Sequence, residues 1–200
     1  MAQTIVARFT AQVLPVQAQL PTAVAQNDAN DHNIVVDSSH QHVAALLDFG
    51  DMVCTARVNE LAICVAYGEL TALLEPAHTL RREEGGIQLL GCSLLLNCLL
   101  SVLCLAIALL EKDDIMPCAS SIIATYTQAR PLTAVEATLL HTLVASRLCQ
   151  SVIMSAYSYS QDPGNEYLLV TAKPGWKTLG KLMAMSEAQV TAFNALASVE

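Results

Sequence analysis

Residues 87–110, IQLLGCSLLLNCLLSVLCLAIALL, run for 24 positions without a charged side chain. Any fold of this chain has to bury that run or hand it to a membrane. Gly91, Ser93, Asn97 and Ser101 interrupt it, so the first reading is a pair of core helices. A bilayer span is the second: the length suffices, and Arg81 and Arg82 before it, with Asp113 and Asp114 after it, would leave its N-terminal side in the cytoplasm. A third is sequence brought into the chain by a misplaced gene boundary. The other residues also ask for a large core. Of 200 residues, 54% are hydrophobic and only 14% are charged, which excludes an intrinsically disordered chain and suits one compact unit. Ten Lys and Arg stand against 18 Asp and Glu, a net charge of -8, spread without a basic stripe. That pattern does not suit a protein that tracks phosphates, so no nucleic-acid partner is expected.

The seven cysteines, Cys54, Cys64, Cys92, Cys98, Cys104, Cys118 and Cys149, are odd in number and mostly sit among Leu, Ile and Ala. There a thiol serves as a small hydrophobe, and the usage fits a reducing compartment. No CxxC pair occurs, so neither zinc nor disulfides are expected. The N-terminus lacks the charged start and apolar run of a secretory signal, which makes the cytoplasm the expected location.

Along the chain, residues 1–22 are mixed, with Pro15 and Pro21 limiting regular helix, and read as the end of a preceding element. Residues 22–51 change texture. Short apolar pieces (AVA, IVV, VAALL) alternate with the polar loop QNDANDHN and the turn-like DSSHQH, a strand, loop, strand, turn, strand pattern. IVVD and VAALLDFGD would bring carboxylates to one edge of a small sheet, a geometry that suits a metal. From Thr55 onward the pattern is helical, with RVNELAICVAYGELTALLE broken by Pro76. Thr133 and Glu136 form a capping box that opens a long helix toward Tyr159, Ser186 and Gln189 repeat the device at the last helix, and Asp162, Pro163 and Gly164 make the turn between them. The fold class is therefore α+β, mainly α, with one small β insert.

The chemistry concentrates in that insert. Asp28 is followed five residues later by Asn33, and Asp48 opens an Asp-Phe-Gly triplet on the next strand. Phosphoryl transfer needs these types: an Asp to take or orient the proton of the attacking hydroxyl, and an amide oxygen with a second carboxylate to hold Mg²⁺ against nucleotide phosphates. Either motif alone is common; both, in this order at two strand ends, are hard to explain structurally.

QNDANDHNIVVD followed by LLDFGDM resembles the catalytic and metal-binding core of the aminoglycoside phosphotransferase and choline kinase-like family, in its hydroxylysine kinase-like branch. That branch reads His-x-Asp-x-Asn-Asp-x-Asn where this chain has Gln26, Asn27, Asp28, Ala29, Asn30, Asp31, His32 and Asn33. The likeness continues through Arg57 to Ala62, Arg130 to Thr133, Ala145 to Leu148 and Asn165 to Leu168, and so covers most of the chain. It implies a protein-kinase-like C-terminal lobe, with the β insert carrying the catalytic loop and a helical bundle following. It implies Asp28 as catalytic base, Asn33 and Asp48 as Mg²⁺ ligands, and Asp51, with Asp31 and His32, on the substrate side or behind the ligands. GTP or ATP would be the phosphoryl donor and a small amine bearing a hydroxyl, 5-hydroxylysine first, the acceptor.

Three departures accompany the resemblance. Gln26 stands where the family has its loop His. Only 27 residues precede Asp28, with no Lys and no Gly among them, so the nucleotide lobe with its phosphate-covering loop is expected to be missing, or supplied by a partner chain or fused domain. Residues from about 66 to 103 look inserted. The expected organisation is thus one partial phosphotransferase domain over 1–200, with its catalytic and metal loop at 22–51 and a helical subdomain at 55–200. Among weaker candidates, His32 reads slightly better as a solvated loop residue than as a ligand, and His40 and His42 as turn decoration. Trp176 reads as a core anchor, Tyr157, Tyr159 and Tyr167 equally as packing or substrate lining, and Arg57 with Glu60 as an ion pair or loop anchor. Two other readings stay open: an inactive fragment that acts as a binding or regulatory module, and a membrane-anchored protein through 87–110.

Overall fold

The structure, a computed structural model, describes residues 1–30, 33–36, 43–71, 115–169 and 172–197. Among these residues are six α-helices, α1 (Ala2–Gln12), α2 (Val58–Thr71), α3 (Ile115–Ala129), α4 (Ala134–Gln161), α5 (Ala172–Ala184) and α6 (Glu187–Ala195), and four short strands, β1 (Thr22–Ala25), β2 (Ile34–Val36), β3 (Val43–Leu46) and β4 (Val53–Ala56). The charge-free run at 87–110, the proposed insertion beyond Thr71, and Cys92, Cys98 and Cys104 lie outside the described residues.

Helix α4 organises the bundle. Leu140, Val144, Leu148 and Val152 recur at helical spacing and are fully buried, the stripe that a core helix must present. On it pack α2, α5, α1 and α6, bringing in Leu61, Val65, Leu179, Leu182, Ile5 and Phe193. Each fully buried Leu contributes about 1.5–3 kcal/mol relative to exposure. Among the described helices α4 is also long and apolar enough to cross a membrane, but most of that stretch is buried in the fold. Its start is fixed as the sequence requires. Thr133 Oγ1 accepts from Glu136 N and Glu136 reaches back to Thr133 N, and Ser186 with Gln189 does the same for α6.

Three expectations change. Residues 2–12 form a regular helix whose Ile5 enters the core, so the helical part begins before the β insert; Pro15 confines the next segment, Leu14–Gln19, to a 3-10 helix. The insert is two separate antiparallel ladders, β1 with β4 and β2 with β3, instead of one small sheet. Strand β4 continues to Ala56 because Val53 and Thr55 suit a pleated surface and face β1 in register (Thr22 with Ala56, Ala25 with Val53). Helix therefore starts at Val58 and not at Thr55. Of the four described cysteines, Cys64, Cys118 and Cys149 are buried and Cys54 is exposed, all as free thiols.

Candidate active site

The antiparallel register of β2 and β3 decides which residues meet. Ile34 faces Leu46 and Val36 faces Val43, so the two strands leave the ladder at opposite ends. The neighbour of Asp48 is consequently the beginning of β2 and not its end: Leu47 N donates to the carbonyl of Asn33 at 2.8 Å. The sequence reading of two strands delivering carboxylates to one edge is corrected here. The edge receives the amide of Asn33 and the carboxylate of Asp48.

Asp28 lies at the turn after β1, and its carboxylate is surrounded by donors. Asn30 Nδ2 and Asn33 Nδ2 both reach Oδ2 at 2.9 Å, and Arg147 Nη2 reaches Oδ1 at 3.2 Å. Asn33 Nδ2 also donates to the Asp28 carbonyl at 2.9 Å. An ionised carboxylate has about four acceptor positions, and donors from the described residues take three of them, one on Oδ1 and two on Oδ2. Asp48 differs. It is exposed, with φ of 52°, a left-handed conformation that Asp tolerates better than most residues. The Gly50 N–H approaches its Oδ1 at 3.2 Å, and a Cβ on Gly50 would stand 3.2 Å from the same atom, so a larger residue would push this carboxylate aside.

Between the two sits Gln26, buried at 6% exposure. Its Nε2 donates to Leu47 O (3.1 Å) and Asp48 O (2.7 Å), and its Oε1 accepts from Asp28 N (2.8 Å). From below, Glu60 Oε2 on α2 accepts from Asn27 N at 2.9 Å, steadying a residue at φ of 68°. Burial raises the Glu60 carboxyl above its ordinary range, against the amides of Asn27 and Gln26 and the charge of Arg147.

Two residues here escape a reading of sequence alone. Arg147 comes from α4, 119 positions from Asp28. It also donates toward the Asn27 carbonyl and the Tyr67 hydroxyl at 3.4 Å each, and stacks 5.5 Å above the Tyr67 ring. Glu136 takes Arg57 from Glu60: Arg57 Nε and Nη2 hold Oε1 and Oε2 at 2.8 Å each, and Nη2 also caps the Pro131 carbonyl at 2.8 Å. Glu60 is thus the loop anchor, and Arg57 ties the β insert to the head of α4.

Of the remaining candidates, Asp51 lies exposed on the turn into β4, and Asp31, His32, His40 and His42 lie outside the described residues. Trp176 is 40% exposed, so the expectation of a core anchor fails; the buried aromatic of this region is Phe193. Among the described residues no group of three or more His, Cys, Asp or Glu could hold a metal. A Mg²⁺ ion needs no such group when phosphates and water complete its shell, and the hard oxygens of Asn33 and Asp48 are the donor types it takes.

A carboxylate held by amides and a guanidinium, joined through Gln26 to the turn that carries an exposed Asp-Phe-Gly carboxylate, supplies the residue types that phosphoryl transfer uses. Residues 1–91 match the phosphotransferase enzyme family. The chain is 30% identical over 199 residues to hydroxylysine kinase of Mus musculus, covering 95% of this chain and 42% of that protein. It is 27% identical over 198 residues to hydroxylysine kinase of Bos taurus, and 24% over 190 residues to that of Danio rerio, covering 95% and 93% of this chain and 42% of each relative. The chain is therefore related to the hydroxylysine kinase-like branch of the phosphotransferase enzymes, and it spans less than half the length of these relatives. No solved structure matches it.

Proposed function

We propose that the chain is the catalytic lobe of a small-molecule kinase that moves the γ-phosphoryl group of GTP or ATP to a hydroxyl of an amino-acid-like amine, 5-hydroxylysine first among them. The observation that carries this is the setting of Asp28: a carboxylate fixed by Asn30, Asn33 and Arg147, with a fourth acceptor position, on Oδ1, that no donor among the described residues takes. In this reading Asp28 accepts the proton of the acceptor hydroxyl. The hydroxyl oxygen forms a bond to the γ-phosphorus as the bond to the β–γ bridging oxygen breaks, leaving the nucleoside diphosphate. Asn33 and Asp48 are the residues that would hold Mg²⁺, and the ion, when bound, neutralises charge on the phosphates. Asp51, exposed on the turn into β4, would meet the cationic group of the acceptor. A catalytic and metal loop at 22–51 followed by a helical subdomain, and a cytoplasmic location, belong to the same proposal.

The test is turnover of 5-hydroxylysine with Mg²⁺ and each nucleotide, with Asp28→Asn as the variant. Asn fills the same space and keeps a carbonyl acceptor, so the fold should persist while kcat falls at least a hundredfold, the scale of a lost general base. Undiminished turnover would remove Asp28 from the mechanism. A second reading, a catalytically silent binding module, draws support from the apolar side chains left exposed beside the site, Val24, Phe49, Met52 and Val53. It predicts a folded chain without turnover in any nucleotide.

A further inference from the structure

Gln26 departs from the family's histidine, and its geometry shows what the replacement does. A primary amide carries two donor hydrogens and an acceptor oxygen, and in Gln26 all of them point at two segments. The hydrogens go to Leu47 O and Asp48 O, 21 and 22 positions away, and the oxygen takes Asp28 N. A neutral imidazole offers one donor and one acceptor, so a histidine could hold the Asp28 amide and one carbonyl, not both. The two segments need such a tie. Each contains a residue at positive φ, Asn27 and Asp48, and each turns away from a different ladder, since β1 pairs with β4 and β3 with β2. No described strand pairing joins β1 to β3.

Resting on the phosphotransferase reading, we propose that Gln26 is a positioning residue that fixes Asp28 and Asp48 as one unit, setting the base-side and metal-side carboxylates in mutual register before any nucleotide arrives. The glutamine is then a working substitute for the histidine and not a lesion in the loop. It acts through main-chain atoms, the Asp28 N–H and the Asp48 carbonyl, and touches no reacting group.

Three variants of the full chain separate the two halves of the tie. Gln26→Leu removes every bond and leaves buried polar groups unpaired, so amide hydrogen exchange at Asp28 should accelerate on the order of tenfold to a hundredfold. In the same variant the carbonyl ¹³C signals of Leu47 and Asp48 should move upfield. Gln26→Glu keeps the acceptor for Asp28 N and replaces two N–H donors by at most one O–H when protonated, so the Asp28 amide stays protected while at least one of the two carbonyl signals moves. Gln26→His should restore protection at Asp28 and one of the two carbonyl signals, which also serves if Gln26→Leu fails to fold. In turnover, Gln26→Leu should lower kcat about tenfold or more with the acceptor KM little changed, because the defect lies in carboxylate placement and not in substrate contact. Parent-like exchange at Asp28 in Gln26→Leu, or parent-like carbonyl signals in Gln26→Glu, overturns the proposal. A parent chain without turnover defeats the kinase reading instead, and exchange and carbonyl shifts still decide whether the tie exists.

Discussion

Removing Arg57 should be far more costly than its position at the end of a short strand suggests. In Arg57→Met the aliphatic stem is kept and the guanidinium is lost, together with two 2.8 Å bonds to Glu136 and one to the Pro131 carbonyl. The Glu136 side chain has no exposure. It retains Thr133 N and Oγ1 on Oε2, but Oε1 loses Arg57 Nε. Breaking one side of a buried pair costs about 3–5 kcal/mol because a charge is left without compensation. Arg57 itself is 17% exposed and water can follow it out, which points to the lower end, about 3 kcal/mol, against a total stability of roughly 5–15 kcal/mol for a chain of this kind. Urea titration followed by circular dichroism measures it as a shift in midpoint at constant slope. Adding Glu136→Gln to Arg57→Met neutralises the stranded charge and should recover about 1 kcal/mol or more. Acid should act the same way. Burial pushes the Glu136 carboxyl up, but the bonds from Arg57 and Thr133 outweigh it and hold the group below its ordinary 4.5. A carboxyl lowered in the fold stabilises above its unfolded value and loses that contribution as pH falls through the folded one. The parent should therefore lose stability below about pH 4.5 while Arg57→Met loses less, narrowing the gap. A loss under about 1 kcal/mol, or no recovery in the double variant, would refute this reasoning.

Two further outcomes follow from named contacts. His141 is fully buried, donates Nε2–H to the Leu182 carbonyl at 3.1 Å, meets the Phe193 ring edge to face, and has no partner for Nδ1 among the described residues; burial, with Arg8 adding to it, lowers its pKa below 6.5 against the Leu182 bond. The folded chain thus binds this proton less readily than the unfolded one, so stability is full above pH 6.5 and should fall below it by up to about 1.4 kcal/mol per pH unit, a slope that His141→Gln abolishes in urea titrations. Arg147→Met releases Asp28 Oδ1 and the stack on Tyr67, and should lower kcat/KM for the proposed phosphoryl transfer roughly tenfold to a hundredfold, with Arg147→Lys recovering part; steady-state kinetics with all three proteins would show it, and an unchanged kcat/KM would mean that Asp28 needs no support from α4.

Much of this molecule is written locally in its sequence. Both capping boxes, the strands around the polar loop and the order of Asp28, Asn33 and Asp48 depend on neighbours within a few residues, where side-chain chemistry and spacing leave little choice. The long stripe of α4 was legible for the same reason. What the sequence concealed was set by tertiary packing. Arg57 lies three residues from Glu60 and 79 from Glu136, and only the docking of α4 against the end of β4 decides between them. Arg147 sits among apolar residues on a helix and shows its purpose only when that helix passes beneath Asp28. Strand β4 was masked by the helical pattern that follows it, and its identity depends on β1, which lies about 30 residues earlier. Gln26 read only as a departure from the family pattern because its sequence position reports the missing imidazole and not the two carbonyls it reaches.

Calorimetric titration of the chain with Mg²⁺ and GTP or ATP, with Asp48→Ala as the control, tests the central claim most directly. The account predicts Mg²⁺-dependent nucleotide binding that Asp48→Ala weakens at least tenfold while its thermal unfolding stays close to that of the parent. A folded chain that binds neither nucleotide, or binds them equally well without the Asp48 carboxylate, would contradict it.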